Sequence, residues 1–184
     1  MAPADRLPGI RPRPSLGRRL DILARQSFPT ASTAVLMLLL ETPLGFTGQA
    51  ALLPAVAVAA VYFWSLFRPG AMPPITAFAL GILLDLLGML PTGVGPLTLL
   101  LTQAMCLRWR PVLARQGFLR VYLAFIGFAV VAAGLVWALS SLLLFVLLPW
   151  PPAVLQALVS AALYPGLAIV LTGAHRSIAD PDRA

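Results

Sequence analysis

The chain has 184 residues, 60% of them hydrophobic and only 10% charged, with a net charge of +7. Soluble domains carry about 25% charged residues, so this composition excludes an ordinary water-soluble fold and leaves room for one compact membrane domain. All thirteen basic residues are arginines, and their places beside apolar runs make them topology signals and anionic-lipid contacts instead of a nucleic-acid surface.

Residues 1–27 are expected to form a disordered basic cytoplasmic tail, because proline and arginine crowd Pro8-Gly9-Ile10-Arg11-Pro12-Arg13-Pro14. No small-x-small cleavage site follows the first apolar run, so that run is read as a retained span. Six spans are expected within a membrane domain of residues 28–174, followed by a short cytoplasmic tail, 175–184. Span 1 covers residues 28–44 and span 2 residues 50–67, ending at the interfacial aromatics Tyr62, Phe63 and Trp64. Pro73 and Pro74 open span 3, which reaches residue 90 and breaks at Pro91-Thr92-Gly93-Val94-Gly95-Pro96. Span 4 runs from there to residue 109, span 5 over residues 119–148 and span 6 over residues 153–173. As one helix, span 5 would be ~45 Å long, so it must tilt, kink or protrude. Pro165, after Tyr164, removes one hydrogen bond in mid-span and is expected to kink span 6.

The arginines sort the connections. Six precede span 1, Arg68 follows span 2, and Arg108, Arg110, Arg115 and Arg120 surround the link from span 4 to span 5. Arg176 and Arg183 follow span 6, and the three remaining connections are uncharged. Short arginine-rich loops stay inside, which gives an all-α bundle of six spans with both termini cytoplasmic.

Two carboxylates fall within the spans, Glu41 and Asp85, at a depth of roughly 20 Å and 18 Å from the cytoplasmic starts of their helices. Ala77, Gly81, Asp85 and Gly88 share one helix face, and small residues at that spacing admit a close neighbour, so Asp85 should face protein. Further stripes are Gly95, Thr98 and Thr102 in span 4, with Gln103 beside them; Gly127, Gly134 and Ser141 in span 5; and Gln156, Ser160 and Tyr164 in span 6. These stripes are expected to pack together, with Glu41, Gln103 and Gln156 as the polar interior. Two roles are open to the carboxylates: a proton or cation relay or substrate pocket, or, for Asp85, acceptance of hydrogen bonds from the glycine-rich start of span 4. The free amides of that turn and the positive end of the helix favour the second. Glu41, beside Thr42-Pro43, is expected to reach the outer interface.

Catalysis finds no support. His175 lies past span 6 beside Arg176, Ser140, Ser141 and Ser160 read as packing residues, and Cys106 reads as a small core residue. The sequence holds no nucleophile–base pair, metal-ligand cluster or phosphate loop, so it is read as non-enzymatic, without cofactor or metal.

The stretch from span 2 to span 4 resembles the bacterial rod shape-determining MreD family. The resemblance rests on Leu53-Pro54 with Val56, Tyr62-x-Trp64 and Pro69, then Gly81-Ile82-Leu83-Leu84-Asp85-Leu86-Leu87 followed by Thr92-Gly93-Val94-Gly95-Pro96-Leu97, and Leu163-Tyr164-Pro165 near the end. It covers most of the chain from residue 50 to residue 176, on short motifs, and leaves span 1 and the preceding tail without family signal. The resemblance implies a non-enzymatic inner-membrane component of the elongation machinery that binds MreC. It further implies work with the MreB filament, the RodA glycosyltransferase and a penicillin-binding transpeptidase, directly or through MreC. Asp85 and the Gly93–Gly95 turn, in a motif with Gly81 and Pro96, would then shape a bundle surface or cavity near the periplasmic side. The alternative is the substrate-binding S component of an energy-coupling-factor vitamin transporter, an architecture of the same size that the MreD family resembles. Such a binder needs convergent polar and aromatic groups, and the short, proline-rich outer connections supply few.

Overall fold

Helix boundaries fall at the proline and glycine clusters, where the missing amide hydrogen of proline and the conformational freedom of glycine interrupt the helical ladder. The computed structural model describes the backbone of residues 16–41 and 49–179 and the side chains of residues 27–41 and 49–173. It contains helices α1 (Leu16–Leu40), α2 (Gln49–Phe67), α3 (Pro74–Leu87), α4 (Val94–Leu113), α5 (Phe118–Leu143) and α6 (Pro151–Ala179), with a 3-10 turn at Pro69–Ala71. Among the described residues there is no strand. Among the described residues three segments are long and apolar enough to cross a membrane: Gln49–Phe67, Phe118–Leu143 and Pro151–Gly173. Ser27–Leu40 and Pro74–Leu87 are shorter apolar helices. In α4 the polar residues Thr98, Thr102, Gln103, Arg108 and Arg110 dilute an otherwise sufficient length.

The chain runs up and down. The α2–α3 and α4–α5 links lie at one end with Arg68, Arg110, Arg115 and Arg120; the α3–α4 and α5–α6 links lie at the other, with the close of α1 and the start of α2. These are called the arginine end and the far end below. Helix α1 begins at Leu16, inside the segment that its proline content assigns to a disordered tail; between Pro14 and Pro29 there is no proline to stop it. Residues 1–15 and 180–184 of the expected tails lie outside the described residues.

Helix α2 is the axis of the bundle. Every residue from Leu53 to Leu66 is buried, and α1, α4, α5 and α6 all pack on it. Ala55, Ala57, Ala59 and Ala60 are fully enclosed; their short side chains let neighbouring backbones come close, which is how helices gain contact where no water is being excluded. Larger residues then fill one end of the axis. The Tyr62 ring lies 5.2 Å from Phe125, 5.1 Å from Phe128 and 5.7 Å from Tyr164, while Phe125 and Tyr164 stack at 4.1 Å. The Tyr62 hydroxyl donates to the Val121 carbonyl at 3.0 Å.

A proline inside a helix frees the carbonyl four residues before it, and at Pro165 a side chain answers it. In α1 the hydroxyls of Thr33 and Ser32 donate to the Pro29 carbonyl at 2.7 and 3.0 Å, as additional bonds within the helix. Pro165 removes the donor owed to Ala161, and the Tyr122 hydroxyl of α5 donates to that carbonyl at 3.1 Å. Helix α6 therefore continues through Pro165 to Ala179.

Helix α5 stops at Leu143, short of the expected residue 148. Phe145 turns left-handed at φ 53°, with its amide donating to Leu142 and the Val146 amide to Ser141, the paired bonds of a Schellman ending. The Ser141 hydroxyl accepts from the Leu148 amide at 3.2 Å and the Trp137 indole donates to the Leu148 carbonyl at 2.9 Å, folding the apolar segment back onto the helix. Helix α3 ends alike, with Met89 at φ 48° and the Leu90 amide on the Asp85 carbonyl. Packing also corrects the expected α5 stripe. Gly127 and Gly134 are exposed with open space where a Cβ would stand, and the face turned inward holds Val121, Phe125, Ala129, Ala132, Ala133, Val136 and Ser140.

Ala60→Leu is expected to overpack the axis and lower stability by ~1–3 kcal/mol, whereas Val170→Ala, on the open face of α6, stays within ~0.5 kcal/mol; thermal unfolding of the purified protein in detergent reads both. Phe145→Gly and Met89→Gly relieve a left-handed penalty of roughly 1–2 kcal/mol against the ~0.5–1 kcal/mol that glycine forfeits in chain entropy. Their melting temperatures should hold or rise, and a clear fall would refute the strain argument.

Candidate functional site

Asp85 sits on α3 where Gly81 and Ala77 leave the helix face bare enough for α4 to approach. The approach is backbone to backbone. A Cβ on Gly81 would overlap the Pro96 backbone and lie 2.7 Å from the Gly95 carbonyl carbon. A Cβ on Gly95 would overlap the Gly81 carbonyl oxygen and stand 2.6 Å from Asp85 Oδ1. The glycines are therefore required by the space itself.

The carboxylate closes this contact. The Gly93 amide donates to Asp85 Oδ2 at 2.6 Å and the Gly95 amide donates to Oδ1 at 2.6 Å. A helix start leaves its first amides without partners, and here each is accounted for. Gly93 and Gly95 use Asp85, Val94 donates to the Pro91 carbonyl at 3.2 Å, Pro96 has no amide hydrogen, and Leu97 makes the first helical bond to Gly93. Gly93 holds φ 102°, a conformation that a side chain would strain. Asp85 is 6% exposed; its charge is answered by two charge-assisted hydrogen bonds and by the positive end of α4. Of the two roles open in the sequence, the geometry places Asp85 in the hydrogen-bonding one, with both oxygens engaged.

The other expected interior residues divide. Gln103 is buried and its Nε2 donates to the Met72 carbonyl at 2.6 Å. One and two turns on, the Cys106 thiol donates to the Tyr62 carbonyl at 3.5 Å and Arg110 Nε to the Leu66 carbonyl at 2.9 Å. This face of α4 thus ties itself to the carbonyls that end α2 and begin α3. Glu41 is exposed just past α1 and lines a different hollow from Asp85's contact, with Gln49, Gly88 and Met89. Gln156, Ser160 and Tyr164 lie on one buried face of α6, and Pro165 follows beneath Tyr122. His175 and Arg176 have no described side chains.

The far end holds a half-open hollow of about 320 Å3, walled by α2, the end of α3, α5 and α6. Gln156 lines it, and so do Ser140, which the sequence reads as a packing residue, and Trp137, which it does not single out. Only the depth of Ser140, level with Gln156 near the uncharged links, could have marked it. Among the described residues no group of three His, Cys, Asp or Glu side chains could hold a metal.

The chain was compared with family models, curated proteins and solved structures, and none matches it.

Asp85→Asn, which keeps one carbonyl acceptor, is expected to lower stability by about 1.5–3 kcal/mol, the worth of one hydrogen bond to a charged group. Asp85→Leu strands both amides and should cost clearly more, with Gly81→Ala comparably damaging because backbone must move. The order Asn above Leu in detergent unfolding supports the clamp; equal losses would point to the charge itself.

Proposed function

We propose that this chain is a six-span membrane protein of the MreD kind, a non-enzymatic scaffold of the bacterial inner membrane that binds MreC. On this reading it helps to organise side-wall peptidoglycan synthesis by RodA, its penicillin-binding partner and the MreB filament. The observation that carries the reading is the α3–α4 clamp. The two short motifs on which the resemblance rests, Gly81-x-x-x-Asp85-Leu86 and Thr92-Gly93-Val94-Gly95-Pro96, meet as one unit in which each glycine and the carboxylate has a physical task. A degenerate match by chance would not be expected to close on itself.

Topology supports the same reading. The arginine end is cytoplasmic by the positive-inside rule, with Arg110 also drawn to the carbonyl end of α2. Helices α1, α3 and α4 count as spans beside the three long ones, the shorter apolar lengths of α1 and α3 sheltered against α2 and α4 and the more polar α4 packed on α2, α3 and α5. The outward faces of α5 and α6, bearing Leu123, Val130, Leu158, Ile169 and Val170, suit lipid or partner helices.

The tagged full chain, drawn from its native host in mild detergent, is expected to bring down MreC and the RodA synthase, with partners identified by mass spectrometry. Asp85→Leu should fail to restore rod shape to cells depleted of the wild type, and Asp85→Asn should restore it in part. Recovery of a transporter's ATPase and coupling subunits instead would overturn the reading.

A further inference from the structure

The far-end hollow carries a polar group that the fold itself leaves unanswered. Ser140 is 4% exposed and its hydroxyl has no hydrogen-bond partner among the described residues. Gln156, 6% exposed, lines the same space from the first turns of α6, with its backbone carbonyl accepting from Ser160. Buried polar atoms are nearly always paired, so an unpaired hydroxyl beside a second polar side chain at one cavity calls for an explanation. The remaining walls are apolar, among them Ala133 of α5, Pro152 of α6, Gly88 at the end of α3, and Trp137. The Trp137 indole N–H is already committed to Leu148, so the ring offers its apolar surface. Among the described residues no arginine, aspartate, glutamate or histidine lines the hollow.

We propose that this hollow is a binding site for an uncharged molecule with a flat or slender apolar body and a head group that both donates and accepts a hydrogen bond, a primary amide or a hydroxyl. Each part of that description follows from the walls. A charged head would be stripped of water without a counter-charge, at high cost. A bare hydrocarbon would leave Ser140 unpaired and shut water away from Gln156. A carboxamide or hydroxyl can give to one and take from the other, since serine and glutamine each do both. The volume sits at the lower end of the ~300–1,000 Å3 usual for small-molecule sites. Such a head group could reach the site from water or on a neutral lipid. The site is independent of the partner assembly proposed above, because the clamp at Asp85 and the hollow share no residue.

The test uses the full chain in phosphatidylcholine nanodiscs and three probes that share a ring and differ in charge: benzamide, benzoate and benzylammonium. Saturation-transfer NMR should show benzamide bound, with the charged probes weaker by about tenfold or more in apparent affinity. Ser140→Ala removes an unpaired group and should unfold no earlier than wild type and yet lose benzamide; Gln156→Leu should lose benzamide too. Ala133→Met, which fills the space without touching either polar group, should lose it as well. Displacement of benzamide by monoolein added to the bilayer would assign the natural head group to a neutral lipid, and indifference would assign it to a water-borne molecule. Absence of benzamide binding, equal binding of the charged probes, or wild-type binding by both polar variants would overturn the proposal.

Discussion

A carboxylate placed across two helices holds the α3–α4 hairpin together, and the rest of the bundle is arranged around that placement. Asp85 stands on α3, yet the amides that it accepts belong to the start of α4. In apolar surroundings an unanswered carboxylate and two unanswered amides would each be costly; brought together, they cancel one another. The position of α4 against α3 is thereby set to within the reach of a hydrogen bond. Once α4 is set, its face of Gln103, Cys106 and Arg110 meets the carbonyls of Met72, Tyr62 and Leu66, which carries the register to the axis helix and to the arginine end.

The same economy recurs at Pro165, where proline removes a donor and the Tyr122 hydroxyl of the neighbouring helix restores it. Tyr122 thereby makes α5 part of the hydrogen-bonding of α6. Tyr62 does the reverse, reaching from α2 to a carbonyl of α5. Polar side chains in this bundle act chiefly as donors to backbone carbonyls; Ser140, like Ser65, Thr98 and Tyr164, has no such partner among the described residues, and of these four it alone lines the far-end hollow.

How much was legible in the sequence depended on whether a local signal and its partner lay in one stretch of chain. The all-helical architecture followed from composition and runs of apolar residues, and the role of Asp85 followed because the glycine turn that receives it is only eight residues away. Gln103 could be placed in the interior by its stripe, but its acceptor, Met72, lies in a loop 31 residues distant and left no sign. Apolar composition misled at two points. It carried span 5 through Leu144–Leu148, where Trp137 and Ser141 in fact turn the backbone, a reversal invisible to hydropathy. It also grouped Gly127 with Gly134 as a packing stripe, since seven-residue spacing names a face without saying whether anything meets it. The start of α1 was missed for the opposite reason, because the prolines upstream coloured a stretch that contains none.

The enclosure of α2 has a consequence for how the chain is made. On the six-span reading, α2 leaves the ribosome second, and its hydropathy is that of a helix which can lodge in lipid unaided. Three of the helices that finally wrap it, α4, α5 and α6, are synthesised later. Until they arrive, its alanine-rich surface stands among acyl chains that it fits poorly, with nothing gained by exchange of one apolar neighbour for another. Assembly of this protein is therefore post-insertional for its own centre. A nascent chain stalled after α3 would display the intended interior as its outer surface, a form that membrane proteases and insertases could tell from the finished bundle by α2 alone.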